Sequence, residues 1–348
     1  MIINEKELWE YLKNADKPIV LYGMGNGADK IIAVLKEKGI DFKGVFSSAG
    51  FKKDKYFHGF KVSSFEELKK EFGDMIVLLC FGSDRPEVIE NVKRIAKTTE
   101  IYAPEVPVIG GGLFDKEYFN KNQKRFQMIY DRLADDLSKK TFQNTINYKL
   151  SGKVDYLFDC ETTIDEPYES FMKLSGSESF LDLGAYNGDT VKDFISRVNT
   201  YNNIIAVEPD VKTFKKLILN TEDIKNIECR NICISDFCGK GFFGMRGGRN
   251  SSAQNGINEA EFTTVDCILS GGMASFIKMD IEGEELKAIS GALETIKTHK
   301  PKMLVSCYHR TEDLITLPEA VFNIRDDYKL YMRHFSSLPA WDTNYYFI

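Results

Sequence analysis

The sequence lacks any apolar run long enough to cross a membrane, and its first residues lack the pattern of a signal peptide. A spanning helix needs about 18 consecutive apolar residues, and no stretch of the chain approaches that length. The opening residues, MIINEKELWEYL, do not combine a basic start with an apolar core. We therefore expect no membrane span and a cytoplasmic location.

An excess of basic residues is also missing. The chain has 46 lysines and arginines against 52 aspartates and glutamates, which gives a formal net charge of −6. This balance argues against a nucleic-acid-binding surface. With 43% hydrophobic and 28% charged residues the composition is that of a globular protein, and 348 residues are enough for two domains.

Cysteine pairs with the spacing C-x-x-C are absent, and the number of cysteines, seven, is odd. Several of them lie in apolar, strand-like runs, which predicts reduced thiols in the core of the protein. A zinc site at Cys229, Cys233 and Cys238 is an alternative, but its spacing is unusual and no histidine flanks it. The sequence indicates no metal site. A divalent ion that assists the chemistry described below remains an alternative.

The stretch around which the chain is organised is 180–190, FLDLGAYNGDT. It reads as a short apolar strand, a turn with two glycines and the start of a helix, which is a cofactor-binding unit in many open α/β sheets. A dinucleotide fingerprint counted from Gly184 would need glycines where the sequence has Tyr186 and Asp189. A carboxylate at the helix start repels phosphate. The loop therefore favours a nucleoside without phosphate, such as S-adenosylmethionine.

Further acidic and aromatic residues follow the next two strand-like stretches. The stretch 204–210, IIAVEPD, ends in Glu208, which is placed to accept hydrogen bonds from a ribose. The third strand, 227–234, is followed by Asp236 and Phe237, an acid and an aromatic that could flank an adenine. Residues 242–256 are rich in glycine and serine, which predicts a loop over the site.

Residues 1–110 alternate strand-like and helix-like stretches, which predicts a separate, smaller α/β domain with a parallel sheet. The stretch GMGNGA, beginning at Gly23, matches the pattern G-x-G-x-x-A. The next strand, however, ends in Ser47 and Ser48 without the acid that a dinucleotide ribose requires, so the pattern is weak evidence. A dinucleotide, a sugar nucleotide held at the helix start and a docking domain without a ligand are the alternatives.

Three consecutive glycines, 110–112, mark a boundary, after which we predict a helical connector over 111–150 and a second domain over 151–348. In the connector, apolar residues recur at the spacing of one face of a long amphipathic helix, which packs on both domains or forms a homodimer. These residues are Phe126, Ile129, Tyr130, Leu133 and Leu137. Residues 153–171, rich in acids and aromatics, either fold across the pocket mouth or form ordinary surface.

Residues 276–285, FIKMDIEGEE, place charged side chains at the end of the fourth strand of the second domain. Lys278 and Asp280 are two residues apart, so they share one face of the strand, and we expect Lys278 to pair with Asp280 and orient it. Asp280 and Glu282 fall at the carboxyl end, where open sheets bind ligands. His309, one of four histidines, follows the neighbouring strand and is, with Asp280, a candidate general base.

Together these stretches resemble the FkbM family of S-adenosylmethionine-dependent methyltransferases, over about half of the chain. The resemblance rests on LDLGAYNGDT, AVEPD, TTVD, FIKMDIEGEELKAISGA and SCYH, and the pattern KxDIEGxE is its most specific part. It implies the seven-stranded class I methyltransferase fold, here preceded by a smaller Rossmann-like domain. It also implies O-methylation of a hydroxyl on a sugar, glycan or related metabolite, which we expect to proceed by in-line methyl transfer with general-base assistance.

The resemblance further implies roles for individual residues. The cofactor would be held by Asp182, Gly184, Ala185, Tyr186, Gly188, Thr190, Glu208, Pro209, Asp236 and Phe237. Catalysis and acceptor binding would fall to Lys278, Asp280, Glu282 and His309, with Asn250, Ser251 and Ser252 touching the substrate. Two alternatives stay open: a sugar-nucleotide-binding or regulatory protein with a vestigial methyltransferase domain, and an NAD-dependent oxidoreductase that uses the amino-terminal domain.

Overall fold

Two α/β sheets, one built by the first third of the chain and one by the second half, form the framework of the protein. The computed structural model describes residues 3, 5–48, 55–243 and 258–348. The first sheet has six strands, the second has seven, and a small sheet of three strands accompanies the second. No helix in this described part of the chain combines the length and the apolar character that a membrane span needs.

The first sheet has the order β3-β4-β2-β1-β5-β6, and its pairs are parallel except β3 with β4. Every residue of β1 and β5 is buried, as expected for central strands of a parallel sheet covered on both faces. The elements are α1 (Leu8–Lys13), β1 (Ile19–Tyr22), α2 (Asn26–Glu37), β2 (Gly44–Phe46), β3 (Tyr56–Phe57), β4 (Phe60–Ser63), α3 (Phe65–Phe72), β5 (Ile76–Leu79), α4 (Pro86–Ala96) and β6 (Glu100–Tyr102).

The connector consists of two helices, α5 (Lys116–Arg132) and α6 (Asp136–Ser151), so the prediction of one helix running on to Leu137 was wrong. The chain turns at Leu133, which has extended backbone, and Asp135 then caps α6 by accepting a hydrogen bond from Ser138 N at 2.7 Å. The helix α6 contributes Phe142 to the core of the second sheet and Tyr148 to that of the first. It is thus a connector that packs on both; the domain boundaries themselves stay a prediction.

The second sheet has the order β15-β16-β14-β13-β7-β8-β9, with only β16 antiparallel to its neighbours. This confirms the predicted seven-stranded, Rossmann-like α/β fold. The elements are α7 (Asp155–Cys160), β7 (Ser179–Leu183), α8 (Asp189–Arg197), β8 (Asn203–Val207), α9 (Val211–Thr221), β9 (Ile227–Arg230), β10 (Cys233–Ile234), β11 (Gly239–Phe243), β12 (Asn258–Thr263), α10 (Val265–Leu269), β13 (Phe276–Met279), α11 (Glu285–Ser290), α12 (Leu293–His299), β14 (Lys302–Ser306), α13 (Asp313–Ile324), β15 (Leu330–His334) and β16 (Thr343–Phe347).

Two elements are divided where the sequence predicts continuous ones. The predicted third strand splits into β9 and β10, and β10 leaves the large sheet to pair with β12. The spacing of Leu286, Ile289, Leu293 and Ile296 predicts one helix over 284–298. The structure instead has α11 and α12, separated at Gly291, whose Cβ, if present, would lie 2.4 Å from the carbonyl oxygen of Ser235. The close backbone approach requires glycine at this position, and Leu286 and Leu293 on either side of it are exposed.

Residues 153–171 pack against both sheets: Val154 and Leu157 lie in the core of the first sheet, and Phe171 packs against the second. They form α7 and then a single π-helical turn, Tyr168–Met172. The ring of Phe171 stacks on Tyr331 with centroids 4.0 Å apart, and the guanidinium of Arg197 lies 4.0 Å from the centre of the Tyr168 ring.

The segment that follows the first sheet contacts the turn after β14. Ile109 N donates a hydrogen bond to the carbonyl oxygen of His309 at 3.0 Å, and Thr311 Oγ1 donates to the carbonyl oxygen of Gly112 at 2.7 Å. The segment between β6 and α5 therefore lies against the turn that carries His309.

Candidate active site

The candidate site lies at the carboxyl ends of the central strands of the second sheet. Strand β7 pairs with β8 on one side and with β13 on the other, so the strand order of the sheet reverses at β7. Such a switch point opens a crevice at the carboxyl edge of an α/β sheet. The structure brings to this edge the glycine turn after β7, Glu208 after β8, Asp280 after β13 and His309 after β14.

The turn after β7 depends on glycine at its first position. A Cβ on Gly184, which has φ +83°, would lie 1.9 Å from the carbonyl oxygen of Asp280. Tyr186 also has positive φ, 47°, and its side chain is half exposed. Gly188 precedes α8 with left-handed backbone, Ala185 is buried below the turn, and Thr190 lies in the first turn of α8. The turn after β7 therefore packs directly against the end of β13, so the stretch predicted to bind the cofactor contacts the stretch predicted to carry the chemistry.

Lys278 pairs with Asp182 rather than with Asp280, so the predicted pairing of Lys278 with Asp280 was wrong. The register of β7 and β13 sets Lys278 directly opposite Asp182, with Nζ 3.3 Å from Oδ1. Lys278 Nζ also donates to the carbonyl oxygen of Gly184 at 3.0 Å. Asp182 has no exposed surface, and this burial raises the pKa of its carboxyl group while Lys278 opposes the change. The pair therefore lies beneath the glycine turn and supports it.

Glu208 follows β8 with its carboxylate held at the edge of the sheet. Its Oε2 accepts a hydrogen bond from Tyr186 N at 3.1 Å, and its Oε1 accepts one from Asp210 N at 2.8 Å. Burial raises the pKa of Glu208 to about 7, although the two backbone N–H groups lower it. Pro209 follows it directly, before Asp210 caps α9. Each carboxylate oxygen keeps a second lone pair for a ligand hydroxyl.

Asp236 and Phe237 follow β10, as their position in the sequence predicts. Phe237 is 44% exposed, and its ring stacks on that of Phe262 with centroids 5.2 Å apart. Ser235 Oγ donates to Asp236 Oδ1 at 3.2 Å. The predicted substrate residues Asn250, Ser251 and Ser252 lie outside the described residues.

A histidine surrounded by carboxylates forms the other half of the site. His309 is 1% exposed; its Nδ1 lies 3.0 Å from Glu285 Oε1, and its Nε2 lies 3.5 Å from Asp280 Oδ1 and 3.7 Å from Glu282 Oε2. Burial alone would lower the pKa of His309, but the carboxylates, led by Glu285, outweigh it and raise the pKa to about 9. Tyr308 Oη donates to Asp280 at 3.3 Å.

Glu285 is a site residue that the sequence did not single out. Its side chain is 1% exposed, and Oε1 accepts a hydrogen bond from Ile281 N at 2.9 Å. The signal available in the sequence was the third glutamate of EGEE, residues 282–285, at the start of α11, but a glutamate there more often only stabilises the amino end of a helix. Asp280, Glu285 and His309 have ligand atoms within 4.8 Å of one another, which is the one group of three or more residues in the described ranges spaced to hold a metal ion.

The cysteines do not gather at a zinc site within the described residues. Cys80, Cys160, Cys233 and Cys307 are buried, as predicted for core thiols, and Cys229 is half-buried. Cys238 and Cys267 depart from that prediction because both are exposed, with their Sγ atoms 2.7 Å apart between the start of β11 and α10.

Comparison with known proteins matches this half of the chain to one family. Residues 182–327 match the family model described as the methyltransferase FkbM domain. The crystal structure of a methyltransferase FkbM from Methylobacillus flagellatus KT superposes with a TM-score of 0.75 over 95% of this chain and 90% of that one, at 22% identity, which shows a shared fold.

Other solved structures are similar over a smaller part of the chain. Aeropyrum pernix fibrillarin with natively bound S-adenosyl-L-methionine has a TM-score of 0.33 and 11% identity over 50% of this chain and 67% of that one. The precorrin-6y C5,15-methyltransferase of Geobacter metallireducens GS-15 has a TM-score of 0.33 and 9% identity over 51% and 81%. We draw no conclusion from these two likenesses. No curated protein matches the sequence.

Proposed function

Because the chain carries an FkbM methyltransferase domain, we propose that it transfers a methyl group from S-adenosylmethionine to a hydroxyl of a sugar, glycan or related small molecule. One observation carries the proposal: the glycine turn and Glu208 lie at the same edge of the sheet as Asp280, and the turn touches Asp280 directly. A nucleoside held by the glycine turn and Glu208 would therefore lie beside Asp280.

The residues present fit this cofactor. Glu208 offers a carboxylate at the end of the second strand, where a ribose diol can donate to it. Asp189 begins α8, and its own Oδ1 accepts a hydrogen bond from Thr190 N at 2.8 Å, so a carboxylate occupies the place where a phosphate would bind. Phe237 supplies an exposed aromatic ring for the base. These features suit a nucleoside that carries no phosphate.

S-adenosylmethionine, when bound, supplies a methyl group already activated on a sulfonium. The residues of the chain then align the acceptor and receive its proton. We assign the removal of the acceptor proton to Asp280, because 32% of its side chain is exposed at the sheet edge. His309 is 1% exposed and both of its ring nitrogens face carboxylates, so it positions Asp280 and Glu282 instead of meeting the acceptor.

Replacing Glu208 by alanine tests the cofactor site. We expect the affinity for S-adenosylhomocysteine to fall by ~1–3 kcal/mol, because hydrogen bonds to a charged group are worth about that much. Isothermal calorimetry at pH 8 measures the change. Glu222→Ala, at an exposed position just beyond α9, is the matched control and should bind as the unaltered protein does. Equal affinity in all three proteins would remove Glu208 from the site.

The affinity for S-adenosylhomocysteine should also depend on pH. The raised pKa of Glu208, about 7, means that its carboxyl group is mostly protonated at pH 6 and mostly charged at pH 8. Ribose hydroxyls donate to the charged form, so the affinity should be about tenfold higher at pH 8 than at pH 6. Lys278, whose pKa is raised by Asp182 despite its burial, stays charged across this range. Calorimetry should show this rise for the unaltered protein and a flat profile for Glu208→Gln; a flat profile in both would contradict the assignment.

A further inference from the structure

We propose that Cys238 and Cys267 are a modification site: hydrogen peroxide oxidises them to a reversible disulfide, and Cys238 is the thiol that reacts first. The site lies beside the residues assigned above to the cofactor. Neither the disulfide nor its test depends on methyl transfer.

The two sulfur atoms lie close enough to form a bond after a small movement. Cys238 Sγ and Cys267 Sγ are 2.7 Å apart, and an S–S bond is about 2.0 Å long, so the atoms need to approach by only about 0.7 Å. The hydroxyls of Thr263 and Thr264 lie 3.8 and 3.9 Å from Cys238 Sγ, further away than the thiol of Cys267. Both cysteines are exposed, so an oxidant reaches them from solvent.

The local structure on each side of the pair holds the two cysteines together. Cys238 directly precedes β11, whose first residue, Gly239, pairs with Phe262 of β12. Cys267 lies in the first turn of α10, where its N–H donates to Oγ1 of the capping residue Thr264 at 3.0 Å. Only Thr264 separates the end of β12 from the start of α10. The contact between the thiols therefore follows from the pairing of β11 with β12 and from the cap of α10.

Cys238 is the thiol suited to react first. Hydrogen bonds from the thiol of Cys267 and from the N–H of Thr264 lower the pKa of Cys238 to about 7. A substantial fraction of Cys238 is therefore thiolate near neutral pH, and the thiolate is the reactive form. Burial has the opposite effect on five other cysteines, whose pKa it raises: Cys80, Cys160, Cys229, Cys233 and Cys307.

Two displacement steps lead from the thiols to the disulfide. The Cys238 thiolate attacks one oxygen of hydrogen peroxide, the O–O bond breaks, and the leaving hydroxide takes up the proton that Cys238 had released. The sulfur of Cys267 then attacks the sulfenic acid on Cys238. The S–S bond forms, the S–O bond breaks, and hydroxide leaves with the Cys267 proton as a second molecule of water. The two thiols supply two electrons, and the peroxide accepts them.

The position of the pair explains why the disulfide is reversible and what it restrains. Exposed disulfides are more readily reduced than buried structural ones, so a dithiol returns this one to the thiol form. Phe237 directly precedes Cys238, and its ring stacks on that of Phe262. A bond from Cys238 to α10 therefore restrains the segment that carries Phe237, the ring that the proposed function assigns to the base of the cofactor.

Mild oxidation of the full-length protein tests the site. The protein is reduced, freed of reductant, treated with a stoichiometric amount of hydrogen peroxide and analysed by peptide mass spectrometry without reduction. We expect a linked peptide pair containing Cys238 and Cys267, the loss of two of the seven thiols, and their full recovery with dithiothreitol. Cys267→Ser should stop at a sulfenic acid on Cys238, which dimedone traps, and Cys238→Ser should give neither product.

The control is Cys229→Ser, at a half-buried position in β9, which should form the disulfide as the unaltered protein does. Serine at either exposed cysteine leaves the core unchanged, so the variants report on chemistry and not on folding. Seven intact thiols, disulfides only between chains, or a sulfenic acid on Cys267 in Cys238→Ser would overturn the proposal. Failure of the reduced protein to bind S-adenosylhomocysteine would contradict the proposed function and leave the disulfide site standing.

Discussion

Asp280→Asn is expected to slow methyl transfer by about 10²–10⁴-fold, the range that a positioned general base contributes, while cofactor binding stays within about twofold. Asparagine keeps the shape of the side chain and an oxygen that can accept from Tyr308, but it carries no charge and takes up no proton. The loss should therefore appear in the rate and not in the affinity for S-adenosylhomocysteine.

The measurement of this variant needs an acceptor, which a panel of sugar nucleotides incubated with isotopically labelled donor and analysed by mass spectrometry would identify. Asp223→Asn, at an exposed position after α9, is the matched control and should keep full activity. A variant at Asp280 with more than about a third of the original rate would show that this carboxylate neither takes the proton nor orients the acceptor.

Gly184→Ala is expected to lose cofactor binding and to destabilise the second sheet. The added Cβ would lie 1.9 Å from the carbonyl oxygen of Asp280, so the ends of β7 and β13 would have to separate. The positive φ costs about 1–2 kcal/mol, and the overlap adds roughly 1–3 kcal/mol. Because the displaced atoms belong to the turn and to Asp280, both cofactor affinity and rate should fall.

A second glycine separates the two causes of that effect. Gly271 has φ +81°, almost the same as the +83° of Gly184, but a Cβ there would meet nothing within 4 Å. Gly271→Ala should therefore show the conformational cost alone, about 1–2 kcal/mol in a denaturant titration, with S-adenosylhomocysteine binding unchanged. If Gly184→Ala binds S-adenosylhomocysteine as well as Gly271→Ala does, the turn is not the cofactor cradle.

The sheet and the position of its ligand edge were predictable because they depend on local patterns. Short apolar runs bounded by glycine, such as the one before Gly184, predict buried strands, and glycines or acids at their ends mark where the chain leaves the sheet. The same reasoning placed Glu208 and Asp280 at the carboxyl edge, where the structure has them.

The partners of charged side chains were not predictable in the same way. Lys278 and Asp280 share a strand pattern, but the partner of Lys278 is decided by the register of β13 on β7, which no single stretch of sequence contains. Likewise, nothing local shows that Glu285 is buried against His309, since the two meet only when α11 packs beside the end of β14. Breaks at Leu133 and Gly291 also follow from contacts with distant parts of the chain.

A crystal structure of the protein with S-adenosylhomocysteine would show where the cofactor binds. We expect the ribose hydroxyls to lie within hydrogen-bonding distance of the Glu208 carboxylate, with the sulfur facing Asp280 across the glycine turn. A nucleoside bound at the amino-terminal sheet, or one that leaves Glu208 without a contact at full occupancy, would contradict this expectation.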